Sequence, residues 1–427
     1  MRAAILPSLV ARDGSSSGSR WSALPDNFSA LRHRDFRLFW FGALVSFFGT
    51  WIQNVGQGWL VYELTGSETL LGLLTLITNG PMMVLTPVGG WLADRYDKKV
   101  ILTMTQSALA LTALTLSVAV FGGFASFGLI ATLAALSGVA AAIDIPTRHT
   151  MISSIVPPED LANAIPLNSA TFNLARLVGP AIGGFLLEQF GAGTCYFING
   201  ISFLALISAL HMIQADVKPN HRSSGTMLNN LAEGFLYVWK RRDFRLLALM
   251  VFVAAFFGMF FISLLPAVAK SKFNLGGNGL GMLMSSTGVG AVVGLLGLAA
   301  LSRLPRRGLV LMSAMFGIGL GSIGLALSAQ PYQAMLALAL LGMSGSAFLS
   351  GANAVYQALS GPEIRGRVIS VHIWVVAAAN PVGSFVFGRV SERNGLEFAF
   401  ALGGSVIVAV AVGVFLFSKS IRALSTE

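Results

Sequence analysis

The chain has 427 residues, of which 55% are hydrophobic and only 11% charged, and its formal net charge is +10. A soluble domain carries about 25% charged residues, so a water-solvated globular protein is excluded. Nucleic-acid binding is excluded as well, because the cations sit in short clusters between apolar runs, the pattern of membrane-protein loops.

At the N-terminus, Ala3 to Val10 is a short apolar stretch interrupted by Pro7, without the cleavage site of a signal peptide. Gly14 to Ser19 reads as disordered, and residues 1–36 read as a largely disordered cytoplasmic tail. Apolar spans are then expected at roughly 38–62, 70–93, 100–121, 125–147, 161–187, 194–213, 245–268, 279–301, 308–328, 332–358, 367–388 and 396–418. About 20 apolar helical residues cross a hydrocarbon core of about 30 Å. Lipid leaves the backbone only helices or closed barrels, and these runs are continuous rather than alternating. The predicted class is therefore an all-α integral membrane protein with twelve transmembrane helices in two pseudo-symmetric six-helix bundles. The bundles would span 37–213 and 244–419, joined by a polar cytoplasmic loop over 214–243 and followed by a cytoplasmic tail over 420–427. Many of the 48 glycines lie inside spans, where they let helix backbones approach closely. The single cysteine, Cys195, excludes an intrachain disulfide and a cysteine metal cluster. No cofactor and no metal is expected.

An internal repeat supports the division. Arg34-Asp35-Phe36-Arg37-Leu38 opens span 1, and Arg242-Asp243-Phe244-Arg245-Leu246 opens span 7. At the same offset, Asp94 to Lys99 after span 2 aligns with Ser302 to Arg307 after span 8, and with a small change of register Pro158-Glu159 before span 5 echoes Pro362-Glu363 before span 11. The loops that share a side with the termini carry most cations, among them Arg95, Lys98, Lys99, Arg148, Lys218, Arg222, Lys240, Arg303, Arg306, Arg307, Arg365 and Arg367. The opposite loops carry only Lys270, Lys272, Arg389 and Arg393. This asymmetry predicts that both termini are cytoplasmic.

The loop Gly90-Trp91-Leu92-Ala93-Asp94-Arg95-Tyr96-Asp97-Lys98-Lys99 resembles the signature G-x-L-A-D-r-x-G-r-K/R between helices 2 and 3 of major facilitator superfamily transporters, with Asp97 where a second glycine is usual. With the two parallel repeats, the resemblance runs from about Phe28 to Ala423. It implies a conformational latch made of Gly90, Asp94, Arg95, Lys98, Arg365 and Arg367. In such a latch the aspartate docks on the start of helix 11 when the protein opens outward, because a helix N-terminus favours a carboxylate.

On span 5, Ala175-Arg176-Leu177-Val178-Gly179-Pro180-Ala181-Ile182-Gly183-Gly184 resembles the helix-5 antiporter motif g-x-x-x-G-P-x-x-G-G of exporters, with Ala175 replacing the first glycine. Physically, Gly179, Gly183 and Gly184 form a groove for a neighbouring helix, and Pro180 removes one ladder bond. Asn173 to Pro180 also resembles the siderophore- and macrolide-efflux branch, typified by the enterobactin exporter. Arg176 stands near mid-span, where an arginine costs at least about 2.5 kcal/mol. Two readings stand: a cavity cation that attracts anionic or catecholic substrates or balances a coupling carboxylate, or a structural arginine bonded to carbonyls or amides such as Asn168 and Asn173. Gln53, Asn54 and Gln57 on span 1 and Asn380 on span 11 are further cavity candidates, with Asn79, Asn353 and Gln357 weaker ones. His372 is either a proton relay or an interhelical histidine.

No acid lies at mid-span, and the arginine that drug antiporters commonly carry on helix 4 is missing. Glu63 and Asp144, near span ends, are the candidates for proton coupling, which the resemblance implies. No G-x-x-x-x-G-K-[ST] motif points to ATP, and no grouped acids and histidines point to an enzyme. The reading is a proton-driven exporter of small amphiphilic molecules (siderophore, drug or metabolite), multi-pass in the inner membrane and monomeric. Its partners are a small-molecule substrate, protons and the lipid bilayer, with no nucleic acid. An importer of the same fold or a transport-dead sensor is the alternative.

Overall fold

The computed structural model describes residues 26–215, 217, 227–301 and 307–422. Lys218, Arg222, Arg303, Arg306, the Ser302–Pro305 side of the loop alignment and the Gly14–Ser19 tail lie outside the described residues. Among those described, all regular structure is helical. A short 3-10 helix, Asp26–Arg32, leads into α1 (Arg34–Thr65), α2 (Glu68–Arg95), α3 (Lys98–Phe121), α4 (Phe127–Ile155) and α5 (Leu161–Met212). Beyond these come α6 (Met227–Lys240), α7 (Arg242–Gly258), α8 (Phe261–Ala267), α9 (Gly277–Ala300) and α10 (Arg307–Leu327). The chain closes with α11 (Pro331–Leu359), α12 (Arg365–Asn394), α13 (Leu396–Phe417) and α14 (Lys419–Arg422).

Eleven of the described helices are long and apolar enough to cross a membrane, and one of these runs for 55 residues, Pro158–Met212. That helix folds back on itself at Gly191, whose φ of 78° and ψ of 171° break the spiral and suit a residue without a Cβ. Both arms lie along α1 in opposite directions. In the first arm Gly179 meets Trp51 and Gly183 meets Ile52 and Val55; in the second, Gly56, Gly49 and Gly42 meet Cys195, Ser202 and Leu206 in descending order. Eleven helices with one of them folded in two give twelve crossings, the number expected from the sequence. Large apolar side chains on the flanks stay exposed, among them Met104, Leu111, Leu296 and Leu336, as a lipid-facing surface requires.

The repeated pentapeptide builds the same local structure twice. His33 and Arg241 are extended, with ψ of 121° and 122°, and the helices start at Arg34 and Arg242 with an aspartate in the first turn, where it complements the helix dipole. The central segment differs from expectation: it holds the helix α6, not only polar loop. Span 7 is also broken, with α7 ending at Gly258 and α8 passing into a π-turn at Val268–Lys272. Phe260 at this break stacks on Phe387, centroids 4.1 Å apart, and on Phe400 at 5.5 Å.

Glycines set how closely the helices pack. Gly89 and Gly138 join α2 to α4, Gly290 and Gly342 join α9 to α11, and Gly319 and Gly404 join α10 to α13. A Cβ at Gly290 would lie 1.9 Å from the carbonyl oxygen of Ala339, whereas one at Gly345 would meet nothing within 4 Å. Because the first obstacle is backbone, Gly290→Ala is expected to force α9 from α11 and destabilise the protein by about 1–3 kcal/mol. Gly345→Ala should leave the melting temperature in detergent unchanged or slightly higher.

The first six crossings meet the last six on the face opposite the termini. There Gly72 of α2 approaches Ser384 of α12, Gly388 of α12 approaches Glu68, and Gly184 of α5 approaches Gly277 and Gly281 of α9. Counted within each half, the fifth crossing of one pairs with the second of the other in both contacts.

Candidate functional site

Arg176 sits on the first arm of α5 where α1 and α9 converge on it. Gly179 takes Trp51 of α1, and Gly288 of α9 packs against Leu177 and the Arg176 carbonyl. The Arg176 side chain lines a cavity with Trp51, Ile262, Leu265, Met284 and Thr287, so α1, α5, α8 and α9 all contribute to its wall. Among the described residues Arg176 makes no hydrogen bond or ion pair, and neither Asn168 nor Asn173 serves it. The cavity volume is only ≈ 20 Å³, room for about one water.

The amides predicted to line a cavity divide. Asn54 is exposed on the α1 face that carries Trp51 and Gly58. Gly58 in turn approaches Pro266 of α8. Gln53 instead accepts from Asn199 Nδ2 at 2.6 Å and donates to Gln57 Oε1 at 3.3 Å. Asn173 bonds to the Ser169 carbonyl at 2.9 Å on its own helix, and Asn380 accepts from Ser384 Oγ at 3.3 Å. Asn79 likewise bonds to Thr75, and Gln357 to Asn353. His372 is buried beside Tyr356, ring centroids 5.4 Å apart.

The helix-5 glycines serve two partners rather than one. Gly179 and Gly183 receive α1, while Gly184 and the Pro180 carbonyl receive Gly281 of α9. The groove thus joins the two halves as well as neighbouring crossings.

Among the described residues the signature loop is tied to the segment that follows α5, not to α12. Lys98 is buried and donates to the Val217 carbonyl at 3.2 Å, and Lys99 donates to that of Ile213 at 2.8 Å. Asp97 caps α3 by accepting from the Lys99 amide at 2.8 Å. Arg95 lies over the Trp91 ring, 4.7 Å from its centroid. Asp94 makes no hydrogen bond or ion pair among the described residues. Arg365 is exposed, and Arg367 pairs with Glu233 of α6. The latch residues are therefore on adjoining elements but apart, and a Cβ at Gly90 would meet nothing within 4 Å.

Of the two acids considered for proton coupling, Asp144 is buried and receives Arg148 Nε at 2.5 Å, Gln106 Nε2 at 2.7 Å and Thr105 Oγ1 at 2.8 Å. Glu63 is exposed at the far end of α1, 3.7 Å from Lys270. Sequence reasoning missed Thr287 and Met284 as cavity residues and Asn199 as the partner of Gln53. Trp51 carried a signal, being the aromatic one turn before Asn54 on the same face.

Comparison with known proteins gives a consistent result. A family model described as transmembrane secretion effector matches residues 26–426. The multidrug efflux pump Tap of Mycolicibacterium fortuitum is 26% identical over 393 residues, covering 88% of this chain and 94% of that protein. The staphyloferrin A transporter of Staphylococcus aureus is 23% identical, covering 90% and 97%. A crystal structure of the nucleoside transporter NupG superimposes with a TM-score of 0.72 at 14% identity, covering 90% of this chain and 99% of that one, which shows the fold. The chain therefore belongs to the transmembrane secretion effector family of the major facilitator superfamily and is a multi-pass membrane transport protein, not an enzyme.

Proposed function

We propose that the chain is a secondary exporter that moves small amphiphilic molecules outward in exchange for protons, by alternating access. In this reading it is a monomer in the inner membrane with both termini in the cytoplasm. The observation that carries the reading is Arg176, a mid-span cation without a counter-charge among the described residues, lining a cavity between crossings of both halves. An unpaired guanidinium at that depth is costly unless a ligand or water serves it. Its planar fork of donors fits the carboxylate or catecholate edge of an amphiphile, and Trp51, Ile262, Leu265 and Met284 fit the apolar body. Export is supported by the helix-5 glycines and by the efflux pump among the relatives. Of the two acids, Glu63 is the one that external protons reach, since Asp144 is committed to Arg148, Thr105 and Gln106. Accumulation of a fluorescent anionic amphiphile tests the direction: everted vesicles should load and right-side-out vesicles should not, and the reverse would make the chain an importer.

Asp94 and the start of α12 belong together in the opposite facing state. The halves touch on the face away from the termini, while Asp94 has no partner among the described residues and Arg367 is held by Glu233. Docking a carboxylate on a helix N-terminus contributes about 0.3–2 kcal/mol. Asp94→Asn should therefore lower the outward-open fraction by about two- to thirtyfold, read as a distance distribution between labels on the terminal face. An unchanged ratio would remove the latch from the account.

A further inference from the structure

Two carboxylates fasten the halves on the face opposite the termini, and they do so in the same way. Glu188, near the end of the first arm of α5, accepts from the backbone amide of Asn278 at 3.2 Å, in the first turn of α9. The N-cap of α9 is Gly276, whose own residue offers no capping side chain, so the cap comes from the other half of the chain. Glu392, near the end of α12, accepts from the Ser67 hydroxyl at 2.6 Å and from the Thr69 amide at 2.8 Å, at the start of α2. Again the acid of a fifth crossing caps the second crossing of the other half. The helices it joins are already in backbone contact, Gly388 against Glu68 and Gly184 against Gly277.

A carboxylate on unpaired first-turn amides is favoured both by the charge-assisted hydrogen bonds and by the helix dipole. Both caps cross between halves, and separating the halves on this face breaks both at once. We propose that Glu188 and Glu392 are the gating residues of this face: the caps are formed while the protein is closed there and released when it opens there, so the two acids set the balance between the facing states. The proposal rests on the alternating-access part of the function given above, but its readout is a distance and needs no transport. Asp94 then works against this pair, since its latch would close the terminal face while theirs closes the opposite one.

Gly276 provides a variant that leaves the acid intact. A Cβ there would lie 2.2 Å from Glu188 Oε2 and 2.7 Å from Oε1. The obstacle is the end of a flexible side chain, and φ at Gly276 is −87°, so alanine displaces the carboxylate without straining the backbone. Spin labels at Phe124→Cys and Tyr332→Cys, in a Cys195→Ala background, report the width of the face; both sites are exposed, and Cys195 is the only cysteine. The long-distance population should rise about three- to thirtyfold in Glu188→Gln and in Glu392→Gln. Gly276→Ala should match Glu188→Gln, and the two together should not add. Distance distributions that stay at wild type in both glutamine variants would overturn the gate, whether or not the chain transports. Failure of vesicle transport with a shifted distribution would instead count against the exporter and leave the gate standing.

Discussion

Replacing Arg176 by alanine is expected to weaken binding of an anionic amphiphile about ten- to a hundredfold while leaving the protein folded and inserted. A hydrogen bond to a charged group contributes about 1.5–3 kcal/mol, which converts to that range of affinity. The loss is sharper for anions than for neutral analogues, because the guanidinium pairs with no acid among the described residues. Arg176→Lys should restore only part of the affinity, since an ammonium lacks the planar fork. Binding by fluorescence quenching of the protein is a suitable readout, because Trp51 lines the same cavity. Equal affinities for the anion in wild type and Arg176→Ala would reassign the arginine to structure.

The second large effect concerns stability. Asp144 and Arg148 form an ion pair one turn apart on α4, with side-chain exposures of only 5% and 10%. Gln106 and Thr105 of α3 complete the carboxylate's shell, and the Arg148 guanidinium lies 5.1 Å from the Phe47 ring centroid and donates to Ser46 Oγ at 3.4 Å on α1. The network therefore ties α4 to both α1 and α3. Asp144→Ala leaves Arg148 buried without its counter-charge, a change that costs about 3–5 kcal/mol. Unfolding in detergent should show that loss. Replacing both members, Asp144→Leu with Arg148→Met, should recover most of it, because a desolvated pair is worth little more than apolar side chains of similar volume. If Asp144 were a coupling acid instead, Asp144→Ala would abolish proton-linked transport at wild-type stability.

The number and order of crossings were legible in the sequence because lipid allows few solutions: long apolar runs, charge clusters between them and no strand pattern lead to helices. The repeated Arg-Asp-Phe-Arg-Leu marks two like helix starts, at Arg34 and Arg242, a few residues before the spans expected from 38 and 245, since an aspartate in the first turn acts locally. The helix α6 was not read, although Leu228, Leu231, Phe235 and Val238 recur at helical spacing, because total polarity hid the amphipathic stripe. The helix packs on α12, with Gly234 against the Arg367 carbonyl and Phe235 edge-on to Trp374 at 5.3 Å.

The candidate site was legible in part. Arg176 stood out because charge at mid-span is expensive in every context. The roles of Gln53 and Glu188 did not, because they depend on which helices become neighbours. Gln53 finds Asn199 only through the reversal at Gly191, and Glu188 finds Asn278 only because Gly184 and Gly281 bring α5 and α9 into backbone contact. A residue type and a depth can be read from one segment, whereas a partner on another segment cannot.

The central claim is that the cavity at Arg176 belongs to a proton-driven exporter. The most direct measurement is uptake of an anionic fluorescent amphiphile into everted vesicles under an imposed pH gradient, comparing wild type with Arg176→Ala at matched expression. The account predicts gradient-dependent accumulation in wild type that is abolished by a protonophore and by Arg176→Ala. Absence of gradient-driven uptake by folded, inserted wild-type protein, or uptake undiminished in Arg176→Ala, would contradict it.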